Sequence, residues 1–398
     1  MRSGKFKLKL APITAGLLTG AMIIAGAIAP GSSSTASARG AHTSRVAATV
    51  QKPVAPPVPA AVTGETATHL PDGRWLLVGG IRDGAVSNEI SVVANSEAPG
   101  GRPFTTTLEF PRSGHTATVL PNGTVLIFGG RDPEGELVPT AELIDPIAGT
   151  VTPASTGSLT LRAFHSATLL TDGRVLIAGG SGGDGSALDS AEIWDPVSGL
   201  VSSPLNSLGA GRYGQKATLL ANGEVILEGG QGDSSQSVPR AELYDPATNS
   251  FQMPSVGLPL RAPTAAAPAI AGSLPEADAV GVSVDGALTI RFEQPVQIDK
   301  LNASTITLVG PGGAVGGKVV GAEGGMLAFF TPTIELSPGT IYTLFLSGVT
   351  NVSDSTLPFT SIRFTTQRLE NKNSQTSSAA GSGSADGTAA SARHAATS

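Results

Sequence analysis

Glycine pairs recur at a fixed interval along this chain of 398 residues: Gly79-Gly80, Gly129-Gly130, Gly179-Gly180 and Gly229-Gly230 stand 50 apart. The turns Asp72-Gly73, Asn122-Gly123, Asp172-Gly173 and Asn222-Gly223 keep the same register, as do Ala67-Thr68, Ala117-Thr118, Ala167-Thr168 and Ala217-Thr218. Later in the unit, Ala141-Glu142, Ala191-Glu192 and Ala241-Glu242 precede Asp145-Pro146, Asp195-Pro196 and Asp245-Pro246. A period of this length means one supersecondary unit copied and stacked, because each copy has an apolar face that only a neighbour can bury.

Each copy reads as four short strands. His165-Ser-Ala-Thr-Leu-Leu170 is a strand, and Asp172-Gly173 supplies a two-residue hairpin turn in which glycine takes φ > 0 without strain. The return strand Arg174-Val-Leu-Ile-Ala178 is too continuously apolar to keep a wet face. The glycine pair ends it where chains must approach without side chains. A polar loop, a third strand at Ala191-Glu-Ile-Trp194, a turn at Asp195-Pro196 and a fourth strand near Leu200-Val201 complete the unit. Four antiparallel strands per unit make a propeller blade.

With the glycine pairs, the hairpin turns, and the stretches Arg112-Ser-Gly-His115 and Arg162-Ala-Phe-His165, residues 63–254 resemble the kelch family of β-propellers. The chain departs from that family in showing four blades where six or seven are usual. The position that is often aromatic in the second half of the unit is Ile144, Trp194 or Tyr244, and Asn88-Glu89-Ile90 lies three residues out of register in the first unit. Four blades leave three closures open: a four-bladed ring, a ring shared by two chains as a homodimer, or a shortened member of a longer family.

The fifty-residue frame ends after Pro263. Leu288, Ile290 and Phe292 alternate with Thr289 and Arg291, and further short strands follow at Thr305–Val309, Lys318–Val320, Met326–Phe330, Tyr342–Leu346 and Ser361–Thr365, the spacing of a β-sandwich. Ile290-Arg-Phe-Glu-Gln-Pro-Val296, Leu336-Ser-Pro-Gly-Thr-Ile-Tyr342 and Ile362-Arg-Phe-Thr-Thr366 resemble the bacterial Ig-like domains of surface-layer and adhesion proteins. The expected fold class is therefore all-β: a kelch-type β-propeller over 63–262 and an Ig-like β-sandwich over 263–366. The second domain is expected to be a spacer.

The ends carry targeting and linker sequence. Arg2, Lys5, Lys7 and Lys9, the apolar run Leu10 to Ala29 and Ala36-Ser37-Ala38 read as an export signal over 1–38, expected to be cleaved and so to leave no membrane span, the alternative being an uncleaved anchor helix. Residues 39–62 form an Ala/Pro-rich linker, and 367–398 a Ser/Gly/Ala tail with almost nothing to bury. Without the signal the chain has 21 basic and 31 acidic residues, a net charge of −10, which repels nucleic acid and anionic lipid. The expected location is secreted, periplasmic or at the bacterial cell surface.

Cysteine is absent, so disulfides, thiolate metal sites and thiol nucleophiles are excluded. Galactose-oxidase-like members of the kelch family join such a propeller to an Ig-like domain, but their cross-linked Tyr–Cys cofactor cannot form here; the three tyrosines are Tyr213, Tyr244 and Tyr342. His115 and His165 stand 50 apart, with Glu65 and Gln215 at the equivalent positions. They read as hydrogen-bonding residues of the repeat rather than metal ligands. Gly182-Gly183-Asp184-Gly185 opens no helix and so is no phosphate loop.

The remaining candidates share one end of the propeller. Asp83, Asp132, Asp184 and Asp233 follow the glycine pairs, and Arg112, Arg162 and Arg212 stand in the loops between blades, which antiparallel topology brings to the same face. Carboxylates interleaved with guanidiniums there are the candidate binding site for a polysaccharide or cell-surface protein, with Ca²⁺ left open as a cofactor. Against this stand the turn-forming habit of aspartate and pairing of the arginines with nearby acids. Glu142, Glu192 and Glu242 recur in every full unit and are read as blade-to-blade contacts outside the site. No pair of acids has a spacing that marks a catalytic centre. The expected function is non-catalytic recognition outside the cytoplasm, the alternative a sugar-acting enzyme with its site at the propeller axis.

Overall fold

A computed structural model describes residues 62–94, 104–234, 236–254 and 266–368; the signal, most of the linker and nearly all of the tail read from the sequence lie outside them. The described chain is all-β, with two short 3-10 turns at Ile298–Lys300 and Glu323–Gly325. Each fifty-residue repeat forms one four-stranded antiparallel sheet. The innermost strands are Glu65–His69, Thr116–Val119, Ser166–Leu169 and Lys216–Leu219, and each pairs with the apolar strand that follows it. Val125–Phe128 and Val175–Ala178 are buried along their whole length, as their unbroken apolar sequence requires.

The hairpin between them is one residue longer than the sequence reading. Leu170 N–H donates to Arg174 O at 2.8 Å and Gly173 N–H to Leu170 O at 3.0 Å, so the loop is Thr171-Asp172-Gly173. Gly173 takes φ 86°, which only glycine adopts freely, and Asp172 Oδ1 accepts Arg174 N–H at 3.1 Å. The same closure recurs at Leu70, Leu120 and Leu220.

In the first repeat, Ser91 rather than Glu89 takes the place of Glu142: Ser91 stands opposite Leu77 as Glu142 stands opposite Ile127. An added hairpin, Ile81–Arg82 with Ala85–Val86, precedes it.

The innermost strands contact one another in chain order, but the row does not close into a ring. A Cβ on Gly79 would strike the carbonyl of Arg112 and the ring of His115, one on Gly129 those of Arg162 and His165, and one on Gly179 the carbonyl of Arg212 and the side-chain amide of Gln215. At Gly229 no described residue comes within 4 Å of that place. This free flank differs in sequence from the covered ones. Where those present Thr66, Thr116 and Ser166, it presents exposed Lys216; where they present Val78, Phe128 and Ala178, it presents Glu228, paired across the ladder with Lys216. A charged pair at the end of a stack discourages further stacking. The protein is expected to sediment as a monomer, and Lys216→Thr with Glu228→Val to drive self-association; a wild-type dimer in the ultracentrifuge would refute the assignment of this flank as an end.

Residues 266–368 form a sandwich. One sheet orders Ile270–Leu274, Leu288–Phe292, Leu327–Pro332 and Gly317–Ala322; the other orders Ala279–Val282, Thr360–Thr366, Ile341–Leu346, Ile306–Gly310 and Gly313–Val315. Leu288, Ile290, Phe292, Ala328, Phe330, Leu344 and Phe364 fill the space between them. The outer face of the first sheet is dry as well: Val320, Ala322, Leu327 and Phe329 join the core of the repeats. Polar ties flank this contact. Lys318 Nζ donates to Asn122 O at 2.6 Å, and Arg291 donates to Ala221 O at 2.7 Å and Thr171 Oγ1 at 2.8 Å. The sandwich expected as a spacer thus shares a core with the repeats.

Glu323 is buried in this interface and accepts Leu169 N–H at 2.7 Å, a donor on an innermost strand. Burial raises its pKa from 4.5 to about 7, against the opposing hydrogen bond from Leu169. Between those values the folded protein holds the proton and the unfolded chain releases it, so this contribution to stability is complete below about 4.5 and lost as pH rises through about 7. His115 and His165 act in the opposite sense, so the comparison is with Glu323→Gln. The stability of wild type relative to that variant, from urea melts at pH 4.5 to 8, should fall by up to about 3 kcal/mol as pH rises. A difference that does not vary with pH would show Glu323 to be exposed in solution.

Candidate functional site

The loops after the glycine pairs and the loops between repeats zip together at one end of the sheets. Bridges Ser113–Arg131–Leu137, Ala163–Ser181–Ala187 and Tyr213–Gln231–Ser237 join them in three repeats. The topology thus brings the expected aspartates and arginines to one end, but only the aspartates reach its surface.

Arg112, Arg162 and Arg212 are fully buried. Arg162 donates through Nη1 to Gly179 O at 2.8 Å and Ser190 O at 3.1 Å, and through Nη2 to Glu192 Oε2 at 2.6 Å. Arg112 does the same to Gly129 O, Thr140 O and Glu142, and Arg212 to Gly229 O, Arg240 O and Glu242. Burial lowers the pKa of Arg112 and Arg162, and the paired glutamates oppose the shift. The glutamates also accept backbone N–H groups from the loop leading to the arginine: Glu109, Thr160 and Gly209. These contacts lie within each repeat, where the sequence reading had the glutamates bridging blades. The three arginines are struck from the binding set because their donors are spent internally. The first repeat has Val62 and Ser91 at the two positions, so both partners are missing together.

Removing one partner of a buried ion pair strands the other charge, at a cost of about 3–5 kcal/mol. Arg162→Ala should destabilise the protein by that amount in chemical denaturation, whereas Arg162→Met with Glu192→Leu should cost much less. A loss below about 1 kcal/mol for the single variant would mean a solvated pair.

The histidines bridge neighbours. His115 Nε2 lies 3.0 Å from Thr66 Oγ1, and His165 Nε2 2.9 Å from Thr116 Oγ1, each on the preceding repeat. Burial, with Arg112 adding to it, lowers the pKa of His115 to about 3, and His165 falls well below the usual value for the same reason. Both are neutral packing groups at pH 7.

Asp132 Oδ1 accepts the N–H groups of Glu134 and Glu136 at 3.0 and 2.9 Å, and Asp184 Oδ1 accepts Ser186 N–H at 3.0 Å and its hydroxyl at 2.6 Å. The Ser186 bonds lower the pKa of Asp184. Asp233 Oδ1 accepts Ala187 N–H of the preceding repeat at 2.6 Å. Asp83 sits at φ 51° in the tip of the extra hairpin. The carboxylates of Asp132, Asp184 and Asp233 therefore each fix loop backbone through Oδ1, and their Oδ2 atoms bond to no described residue. Among the described residues no group of three or more His, Asp or Glu is placed to hold a metal ion.

Sequence reasoning missed Phe164. Gly64, Gly114 and Gly214 occupy its position in the other repeats at φ 72°, 70° and 66°, and Phe164 takes φ 55° in their place. The backbone demands this geometry: Gly114 N–H donates to Gly64 O, Phe164 N–H to Gly114 O and Gly214 N–H to Phe164 O, a run of bonds from repeat to repeat. The Phe164 ring covers Gly114, where a Cβ would strike it, and is 41% exposed. A left-handed bulky residue costs about 1–3 kcal/mol. The signal was present as one phenylalanine in a column of glycines. Nearby, Arg131 spans to the next repeat, donating to Ser181 Oγ at 3.0 Å and Gly182 O at 2.6 Å, and Tyr213 OH donates to Gln231 Oε1 at 3.1 Å.

Residues 264–366 match the family described as a bacterial Ig-like domain. No curated protein sequence matches the chain. Among solved structures, a fungal alcohol oxidase of the AA5 family in complex with copper is similar over 76% of this chain and 85% of its own, at 14% identity and a TM-score of 0.35. YjhT is similar over 77% of this chain and 99% of its own, at 12% identity and a TM-score of 0.42. No helix among the described residues is long and apolar enough to cross a membrane.

Proposed function

We propose that the chain is an exported bacterial recognition protein without catalytic activity, built as a kelch-type propeller of four blades left open as an arc, whose loop face binds a cell-surface glycan. Phe164 carries the reading. An aromatic ring held in a strained backbone geometry, where three equivalent positions use glycine, lies over Gly114 yet stays 41% exposed at the loop end. A flat apolar ring suits the CH face of a sugar. The free oxygens of Asp132, Asp184 and Asp233 at the same end accept hydrogen bonds from sugar hydroxyls. Variable loops on a stacked scaffold are where such sites are built.

Screening the full chain on a glycan array, with calcium and with chelator, tests this reading. Selective binding is expected, weakened at least tenfold by Phe164→Gly while stability is unchanged or raised by about 1 kcal/mol. Asp132→Asn with Asp184→Asn keeps the loop-forming acceptors and removes the charges, and should also weaken binding. An empty array, with a protein captured through the same face, would replace the glycan with a protein partner. Binding indifferent to Phe164 would overturn the site.

A further inference from the structure

At the opposite end from the loop face, the hairpin turns and the Ig-like sheet enclose a cleft of about 470 Å³. Asp172 and Arg174 enter from one hairpin, Asp195 from the turn after the third strand of the same repeat, and Asp285 from the sandwich. Thr289, Phe329 and Thr331 form the sandwich wall. Thr289 and Phe329 stand opposite each other on paired strands, and Thr331 lies two residues further along on the same face.

Two hydroxyls on this wall lack partners. Thr331 Oγ1 is buried with no hydrogen bond. Thr289 is 3% exposed, and its hydroxyl, which bonds to no described residue, is not itself closed off from the cleft. A buried polar group without a partner is costly, so the Thr331 hydroxyl, beside the unbonded but reachable hydroxyl of Thr289, marks a place that something polar completes. The charges narrow what that is. Arg174 is paired with Asp172 at 2.6 Å and also faces Asp195, whose oxygens accept Val197 N–H and the Ser198 hydroxyl; one arginine against three carboxylates leaves the cleft net negative, with Asp285 the carboxylate farthest from compensation. Asp285 Oδ1 accepts Ser283 Oγ at 2.5 Å and its Oδ2 is free. The unspent capacity is therefore mostly for accepting hydrogen bonds, beside apolar surface from Pro121, Ala287 and Phe329. An anion is excluded, and a donor-rich cation on a carbon frame fits.

We infer that this cleft binds a small organic cation bearing a primary ammonium, with its carbon frame against Phe329 and Pro121 and its ammonium among Asp285, Thr289 and Thr331. A diamine and an amino sugar share that chemistry. The inference stands on the domain interface and is independent of the loop-face reading.

Calorimetric titration of the full chain with putrescine, with glucosamine and with glucose, at low salt, tests it. Binding of at least one amine and none of glucose is expected, and which amine binds separates the two sources. Asp285→Asn should weaken binding tenfold or more. Thr289→Val with Thr331→Val should do the same while raising the melting temperature of the unliganded protein, because unpaired hydroxyls are removed without loss of volume. Binding of glucose as tight as that of the amines, or no amine binding at all, would overturn the proposal. So would amine binding unchanged in both variants.

Discussion

The contact on which the array depends is a backbone carbonyl seated where a side chain would otherwise be. Gly80 N–H donates to Arg112 O at 3.0 Å, Gly130 N–H to Arg162 O at 3.0 Å and Gly180 N–H to Arg212 O at 2.8 Å, each reaching into the next repeat. A single Cβ on the preceding glycine would close that approach. The carbonyl is held in place because its own arginine is clamped from inside by two backbone oxygens and a glutamate. Sheet stacking, arginine burial and the neutral state of the bridging histidines all follow from that seat.

The parts of this arrangement written in local sequence were legible. Period, hairpin position and the dry second strand depend on neighbours a few residues apart, and each has its own signal. Only the hairpin length was misjudged, because Asp-Gly serves both two- and three-residue loops. The direction of a side chain from a loop has no such signal. Arg112, Arg162 and Arg212 stand where a rim of guanidiniums was expected, yet they point inward. The clue lay thirty residues on, in Glu142, Glu192 and Glu242, and in the loss of both partners together at Val62 and Ser91. Phe164 was hidden in a similar way, as a departure from a column rather than a motif.

The Ig-like sheet teaches the same lesson at domain scale. Thr289 and Arg291 alternate with apolar residues, which reads as a wet outer face, while Leu327-Ala-Phe-Phe330 on the paired strand is apolar throughout. The second pattern is the informative one, since a strand with no polar side is buried on both. What covers it was beyond the reach of periodicity, because the partner surface is made by residues some two hundred positions earlier. Domain docking in turn creates the buried environment of Glu323, a carboxyl that is unremarked in the sequence.

An arc differs from a ring in what a local break does. In a ring every sheet has two neighbours, and loosening one leaves the others tied. Here the Ig-like sheet is bonded to Asn122, Leu169, Thr171 and Ala221, in the second, third and fourth repeats, and so acts as a brace across that part of the arc. The first repeat lacks the arginine–glutamate pair of the others and is held through its stacking on the second and a bond from buried Arg74 to Pro146 O. On this arrangement stability is expected to be graded along the molecule, lowest toward the amino-terminal sheet and highest where the brace sits, with slow opening concentrated in the first repeat.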